Sequence, residues 1–434
     1  MMMETRVIIN GHLIDPKNNI DQKMDIRIVD GKVYEVKEKI EPIEGEWVTD
    51  AKGLIVSPGF IDLHCHMREP GQEAKEDLIS GSNAAAAGGY TTILAMANTR
   101  PVVDEAIIVA GLKYKAAEDS IVRLEISGAV TKGLKGKELA EIGDMALAGV
   151  AALSDDGGYI GDSRMMRLAF EYTSLFNLPI ISHAEEDSLV HDWSMHEGVV
   201  SAKLGMKGRP AVAEDIAVAR ELMLAEFTGG RIHIAHVSSK GAVELIRAAK
   251  KKGIKVTGEV TPHHLCLTDE WVETFDSAFK VNPPLRSADH IEALFEGLLD
   301  GTLDAIATDH APHAYEEKDR EFSEAPSGFA GFETAFGAMH THYVKTKKMT
   351  LNQLIEKMSY GAAKAFGWSE RGHLGVGALA DILLIDPKKK WKVEPEKFFT
   401  RGKVCPFKDN EFVGRVEATM VNGQWVYENG KVLR

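Results

Sequence analysis

Cysteine is scarce in this sequence: Cys65, Cys266 and Cys405 are the only three in 434 residues, and they lie far apart. An odd, sparse set gives no disulfide framework, which excludes a small stapled scaffold and makes a reducing cytosol the simplest compartment. Long apolar runs are missing too. None approaches the roughly 18 residues of a membrane span, and the opening stretch MMMETRVIINGHLIDPKNN is polar where a signal peptide needs an apolar segment. A soluble, unprocessed, cytoplasmic chain is expected. There is also no block of basic residues, and 51 Lys and Arg stand against 65 Asp and Glu, a formal charge of −14. Nucleic acid and anionic membrane are therefore poor partners, and an anionic substrate would need a few local cations.

The apolar content, 44% of residues, is enough for a large core. At roughly 100 to 250 residues per domain, the length suggests a large catalytic domain with an accessory one, or two to three ordinary domains. The first 56 residues alternate β-like runs with turn signals, among them Asp30-Gly31 between Asp25 to Val29 and Val33 to Val36. The last 60 or so residues read alike, with the turn Asn422-Gly423 before Gln424 to Tyr427. Both ends are expected in one small sheet domain, residues 1–56 plus 369–434.

Residues 57–368 change pattern to short apolar runs alternating with helical segments, the signature of parallel α/β architecture. Eight strands are expected, at Gly59 to Leu63, Thr91 to Met96, Val122 to Ser127, Val150 to Leu153, Pro179 to Ser182, Arg231 to Ala235, Lys255 to Val260 and Asp304 to Ala307. Eight is the number that closes a (β/α)8 barrel of the TIM type. The fold class is α/β, with the terminal sheet as a composite β-sandwich.

Five of these strand ends carry metal-type ligands: His64 and His66, Asp155-Asp156, His183, His236 and Asp309. In a barrel such ends converge on the face that does catalysis, and imidazole with carboxylate suits zinc and similar cations. Strand alternation puts His64 and His66 on one side and Cys65 on the other. It allows only one of Asp155 and Asp156 into the site without saying which. Arg68 lies two residues past His66, and His313 four past Asp309; the arginine can grip a substrate carboxylate in a bidentate fork. His191, His196, His290, His340, His342 and His373 are read as solvated or locally hydrogen-bonded, His233 as packed, and His263-His264 as structural support. Ser238-Ser239-Lys240-Gly241 reads as a helix cap rather than a phosphate loop. A metal with an open position and a carboxylate beside it is hydrolytic machinery.

Pro58-Gly59-Phe60-Ile61-Asp62-Leu63-His64-Cys65-His66-Met67-Arg68-Glu69-Pro70-Gly71 resembles a motif of the cyclic amidohydrolases, and within them of the dihydroorotases. The resemblance continues through Ala97 to Pro101, Ser154 to Gly157, Thr261 to Leu265, Asn282 to Arg286, Ala307 to His313 and Gly375 to Ile385, and so spans the chain. It implies a zinc-dependent barrel that interconverts L-dihydroorotate and N-carbamoyl-L-aspartate in pyrimidine biosynthesis. It also implies that His64, His66 and Asp309 hold one zinc, His183 and His236 a second, and that Asp156 bridges them, with one or two ions bound. By the same resemblance Asp309 doubles as catalytic base and acid, while Arg68, Asn98 and His313 hold the carboxylate. Asn282 and the backbone at Pro326 to Gly328 contact the ring.

Related dihydropyrimidinases, allantoinases and some dihydroorotases use a carboxylated lysine as the bridge, and this sequence has no lysine between Lys137 and Lys203, which leaves the aspartate-bridged class of dihydroorotase as the expectation. Two departures from the family pattern, Ser359-Tyr360-Gly361 and Met96-Ala97-Asn98, touch no ligand position. The alternatives are another cyclic amidase, acting on dihydropyrimidines, hydantoins or allantoin, or a scaffold subunit of aspartate transcarbamoylase. The complete ligand set speaks against the scaffold. A homodimer and an association with aspartate transcarbamoylase are both open to such a chain. The charged loop from Ala314 to Ala330 reads as a solvated surface that could also cover the site.

Overall fold

Eight parallel strands pair in chain order: β1 (Phe60–Cys65), β2 (Tyr90–Ala95), β3 (Arg123–Gly128), β4 (Ala152–Ser154), β5 (Ile180–Ser182), β6 (Ile232–Ile234), β7 (Val256–Val260) and β8 (Ala305–Ile306). They belong to a computed structural model that describes residues 4–191 and 194–433, so Met1 to Met3 of the polar opening stretch lie outside it. The sheet closes where Cys65 bridges in parallel to His310, just past β8. Asp62 seals the same seam, accepting from Thr308 N at 2.8 Å and Thr308 Oγ1 at 2.6 Å. No strand end differs from the sequence expectation by more than two residues, and hydrogen-bond ladders and apolar runs commonly part by that much at strand ends.

Ile61, Leu63, Leu94, Ala152, Ile181 and Ala305, drawn from β1, β2, β4, β5 and β8, form one buried cluster with Phe366. Only the inside of a barrel brings those strands together, and branched apolar side chains set against Ala152 and Ala305 suit a packed interior. The opposite faces, such as Ile93, Ile126, Leu153, Ile180 and Ile232, pack outward against the helices. In β1 the pairing slips, since Asp62 to Cys65 spans only Ile93 to Ala95 of β2. That bulge lets Leu63 and His64 both face inward, after which His66 shares the inner side and Cys65 turns out toward Leu94 O.

The chain ends form two sheets. A four-stranded sheet comes wholly from the N-terminal segment (Thr5–Ile9, Asp25–Val29, Lys32–Lys37, Trp47–Asp50). A seven-stranded sheet mixes both ends, with Ile55–Pro58 antiparallel to Ile382–Lys392, which in turn pairs with Glu411–Val421. Side-chain alternation explains the layering. Ile382 and Leu384 pack with Ile8, Ile26 and Ile28 of the first sheet, whereas Leu383 and Ile385 face the barrel core. Asp30-Gly31 and Asn422-Gly423 are both hairpin tips with positive φ at each residue, as a tight two-residue turn demands. The tips abut: a Cβ on Gly31 would lie 2.8 Å from Asn422 O.

Candidate active site

Each candidate ligand leaves the same end of the barrel. His64 lies within β1 and His66 just past it; Asp156 is two residues beyond β4, His183 one beyond β5, His236 two beyond β6 and Asp309 three beyond β8. The bends are sharp: Arg68, His236 and Asp309 have φ of 61°, 31° and 47°. Non-glycine residues held in that left-handed region mark strain, which concentrates at functional sites.

Asp156 sits at the centre. Its Oδ1 lies 3.3 Å from His64 Nε2, 3.4 Å from His183 Nδ1 and 3.5 Å from His236 Nε2, and its Oδ2 lies 3.5 Å from His66 Nε2. Asp309 Oδ1 is 3.2 Å from His66 Nε2 and 3.8 Å from His64 Nε2. Two donors each about 2.1 Å from one ion at the tetrahedral angle lie about 3.4 Å apart. The spacings therefore match two ligand groups, His64, His66 and Asp156, then Asp156, His183 and His236, that share one carboxylate. Asp156 Oδ1 and His64 Nε2 are buried with no hydrogen bond among the described residues. Buried polar atoms normally have partners, and a cation would supply one to both.

The charge balance points the same way. Burial would depress His64, but Asp156, Glu259 and Asp309 hold it well above the ordinary imidazole range. Burial acts likewise on His183, which Asp156 and Glu185 nevertheless lift to about 10. Asp156 is pulled below the carboxylate range against burial by His64, His183 and His236, and Asp309 by His66, His64 and His236. His236, between the charged forms of His183 and His64, is lowered by burial and by their charge.

Asp155 turns away, accepting from Val130 N at 2.8 Å and Thr131 N at 2.9 Å. The other named residues gather on one cavity of about 210 Å³, lined by His66, Arg68, Asn98, Asp156, His183, His236, Asn282, Asp309 and His313 with Ser327 and Gly328. Arg68 is buried there with its Nε on Pro312 O at 3.1 Å and its Nη2 3.3 Å from His313 Nε2. Among the described residues, no carboxylate lies within ion-pair distance of it. Burial lowers both Arg68 and His313, the latter to about 3 with help from the Arg68 charge. Asn98 and Asn282 also touch ligand imidazoles: Asn98 Oδ1 is 3.0 Å from His66 Nδ1 and Asn282 Nδ2 3.1 Å from His183 Nε2. A second cavity, about 160 Å³ beside Phe336, Trp391 and Arg415, contains no cluster of metal-type ligands.

Several supporting residues were not anticipated. Glu259 of β7 contacts His64, and Arg209 Nη1 reaches both Glu185 and Asn282 at 2.7 Å. The only sequence signal was a carboxylate inside an apolar strand run. His196 and His340 are not solvated but buried, on Arg286 Nη1 and Val413 O. His264 bridges Thr261 and Pro283 O, and Ser239 caps its helix through Ala242 N at 3.1 Å. Lys318 is buried rather than solvated, donating to Pro326 O at 2.9 Å. It helps hold the Ala314–Ala330 loop, whose Ser327 and Gly328 form part of the cavity wall.

The profile of the amidohydrolase family matches residues 55–426. The dihydroorotase of Geobacter sp. (strain M21) is 47% identical over 424 residues, covering 98% of this chain and 99% of that protein. The dihydroorotase of Anaeromyxobacter sp. (strain K) is 46% identical over 435 residues, covering 100% of both. Among solved structures, the L-hydantoinase (dihydropyrimidinase) of Arthrobacter aurescens superposes with a TM-score of 0.91 at 28% identity, covering 100% of this chain and 98% of that one.

Proposed function

The chain belongs to the amidohydrolase family, and from that premise we propose that it is a dihydroorotase that opens and closes the ring between L-dihydroorotate and N-carbamoyl-L-aspartate in pyrimidine biosynthesis. The observation that carries the substrate choice is Arg68. A buried guanidinium with no carboxylate in ion-pair distance among the described residues is costly to keep, and it faces the same cavity as the ligand cluster. A substrate carboxylate supplies the missing charge. A dihydropyrimidine or allantoin has none to offer, and with aspartate at the shared position there is no lysine to carboxylate.

We assign the metal as zinc, one or two ions per chain, held by His64, His66, Asp156, His183, His236 and Asp309; borderline nitrogen and oxygen donors at these spacings suit it. Bound there, it would bring water toward its ionised form at neutral pH and polarise the ring carbonyl. Asp309, held ionised by its imidazole neighbours, accepts the proton of the attacking water. The water oxygen bonds to the carbonyl carbon, the carbon–nitrogen bond breaks, and Asp309 returns the proton to the ring nitrogen. Arg68, His313 and Asn98 orient the carboxylate, and Asn282 the ring. Pro326 to Gly328 contact the ring from the loop side. Ring closure runs the same path backwards.

The three free thiols support a reducing, cytoplasmic setting. Whether a homodimer or a complex with aspartate transcarbamoylase is the working form is read from the mass of the protein alone and mixed with that enzyme. The function is tested by ring opening of L-dihydroorotate beside dihydrouracil and allantoin, with zinc and with chelator. Selective, chelator-sensitive opening of dihydroorotate is expected. Zinc-loaded protein that leaves dihydroorotate intact would overturn the reading, and preference for dihydrouracil would move it to the hydantoinase branch.

A further inference from the structure

We propose that Glu259 is a positioning residue that fixes His64 for metal binding by bridging it to His233 inside the barrel. This rests on the metal-site reading above. Glu259 lies on β7 with no exposed surface, as do His64 and His233. Its Oε1 is 3.2 Å from His64 Nδ1 and its Oε2 3.1 Å from His233 Nε2. These are ion-pair distances that are not aligned as conventional hydrogen bonds. All four atoms have no other partner among the described residues, and no lysine or arginine pairs with the carboxylate. A fully buried carboxylate is tolerated only where something compensates it, and here two imidazoles are all there is. His233 is itself fixed from the far side, its Nδ1 2.8 Å from Thr257 Oγ1.

The consequence falls on the other nitrogen of His64. With Nδ1 turned to Glu259, Nε2 is the atom that faces Asp156 and Asp309. A carboxylate behind a ligating imidazole fixes ring orientation and tautomer and strengthens the donor, and losing such a partner typically costs 10- to 100-fold in metal affinity. Glu259 would also add negative charge near a bound ion without touching it, as Asp156 and Asp309 do by contact. His66 has only the neutral Asn98 in the corresponding place, and the carboxylate behind His183, Glu185 at 3.8 Å, lies beyond the end of β5, so His64 is the ligand through which the barrel interior would act on a bound metal.

The test is zinc itself, titrated into chelator-stripped wild type and Glu259→Gln against a chromophoric chelator, with circular dichroism to verify folding. One equivalent is expected to weaken by roughly 10- to 100-fold in the variant, and any equivalent held by His183 and His236 to stay as in wild type. A folded variant that binds every equivalent as tightly as wild type would overturn the proposal. If Glu259→Gln does not fold, nitrogen-15 spectra of zinc-loaded wild type decide, with His64→Gln used for assignment. Metal on Nε2 and a proton on Nδ1 support the bridge, and metal on Nδ1 refutes it. Wild type that takes up no zinc would instead remove the metal reading on which the proposal stands.

Discussion

Replacing Arg68 with methionine separates a substrate clamp from a structural cation. The side chain is buried, its Nε on Pro312 O and its Nη2 beside His313, with no carboxylate in reach among the described residues. If a substrate carboxylate is its counter-ion, the variant loses one partner of a buried, charge-assisted pair, a loss that typically costs about 2–5 kcal/mol. At about 1.4 kcal/mol per tenfold, kcat/KM for dihydroorotate should fall by roughly 30- to 5,000-fold. Binding of N-carbamoyl-L-aspartate should weaken similarly, while that of N-carbamoyl-β-alanine, which lacks the relevant carboxylate, should hardly change. Arg68→Lys should recover part of the loss, since it keeps the charge without the planar fork. Folding gives an independent readout: removing a buried charge that has no carboxylate within ion-pair distance among the described residues should leave the thermal midpoint unchanged or raise it. A fall of less than tenfold for dihydroorotate, an equal loss for both carbamoyl compounds, or a clear drop in midpoint would refute the clamp.

Two further outcomes follow from buried ionisable groups. Lys318→Met should loosen the loop that carries Ser327 and Gly328, because it removes the bond to Pro326 O; KM for dihydroorotate should rise by roughly 3- to 10-fold, about 0.7–1.4 kcal/mol, and unchanged steady-state kinetics would count against a role for the loop. Glu221 has no exposed surface, and burial pushes its carboxyl up to about 7 despite Arg220 and Ser182. Its folded value is raised, so the stability it allows is complete below the ordinary carboxyl range and is lost as pH climbs to about 7. The thermal midpoint of Glu221→Gln minus that of wild type should therefore become more positive between about pH 5 and about pH 8, and a constant difference would show that this carboxyl does not drive the trend.

Local signals carried most of the architecture. Apolar runs separated by helical periodicity marked the eight strands, and Asp30-Gly31 and Asn422-Gly423 marked tips that do take positive φ at both positions. Side-chain chemistry at strand ends named the ligand candidates, because a histidine or aspartate closing an apolar run is visible without knowing what it faces. What spacing left open was a matter of direction. Asp155 and Asp156 are equivalent in the sequence, yet one is bound by Val130 and Thr131 amides and the other centres four imidazoles.

The rest depends on distant parts of the chain meeting, which no local pattern encodes. The bulge in β1 that turns His64 inward arises from its register against β2, and the seam through Asp62 and Thr308 joins residues 246 apart in sequence. Glu259, Arg209 and Lys318 look like ordinary charges until the fold removes water around them and leaves each with a specific partner. The sequence by itself determined which chemistry was available and at which strand ends, since residue type and periodicity are local properties. The tertiary structure alone decided which carboxylate is central, which cation faces the ligand cavity with no carboxylate in ion-pair distance among the described residues, and which buried groups stand behind the ligands, because burial and charge pairing belong to the assembled barrel.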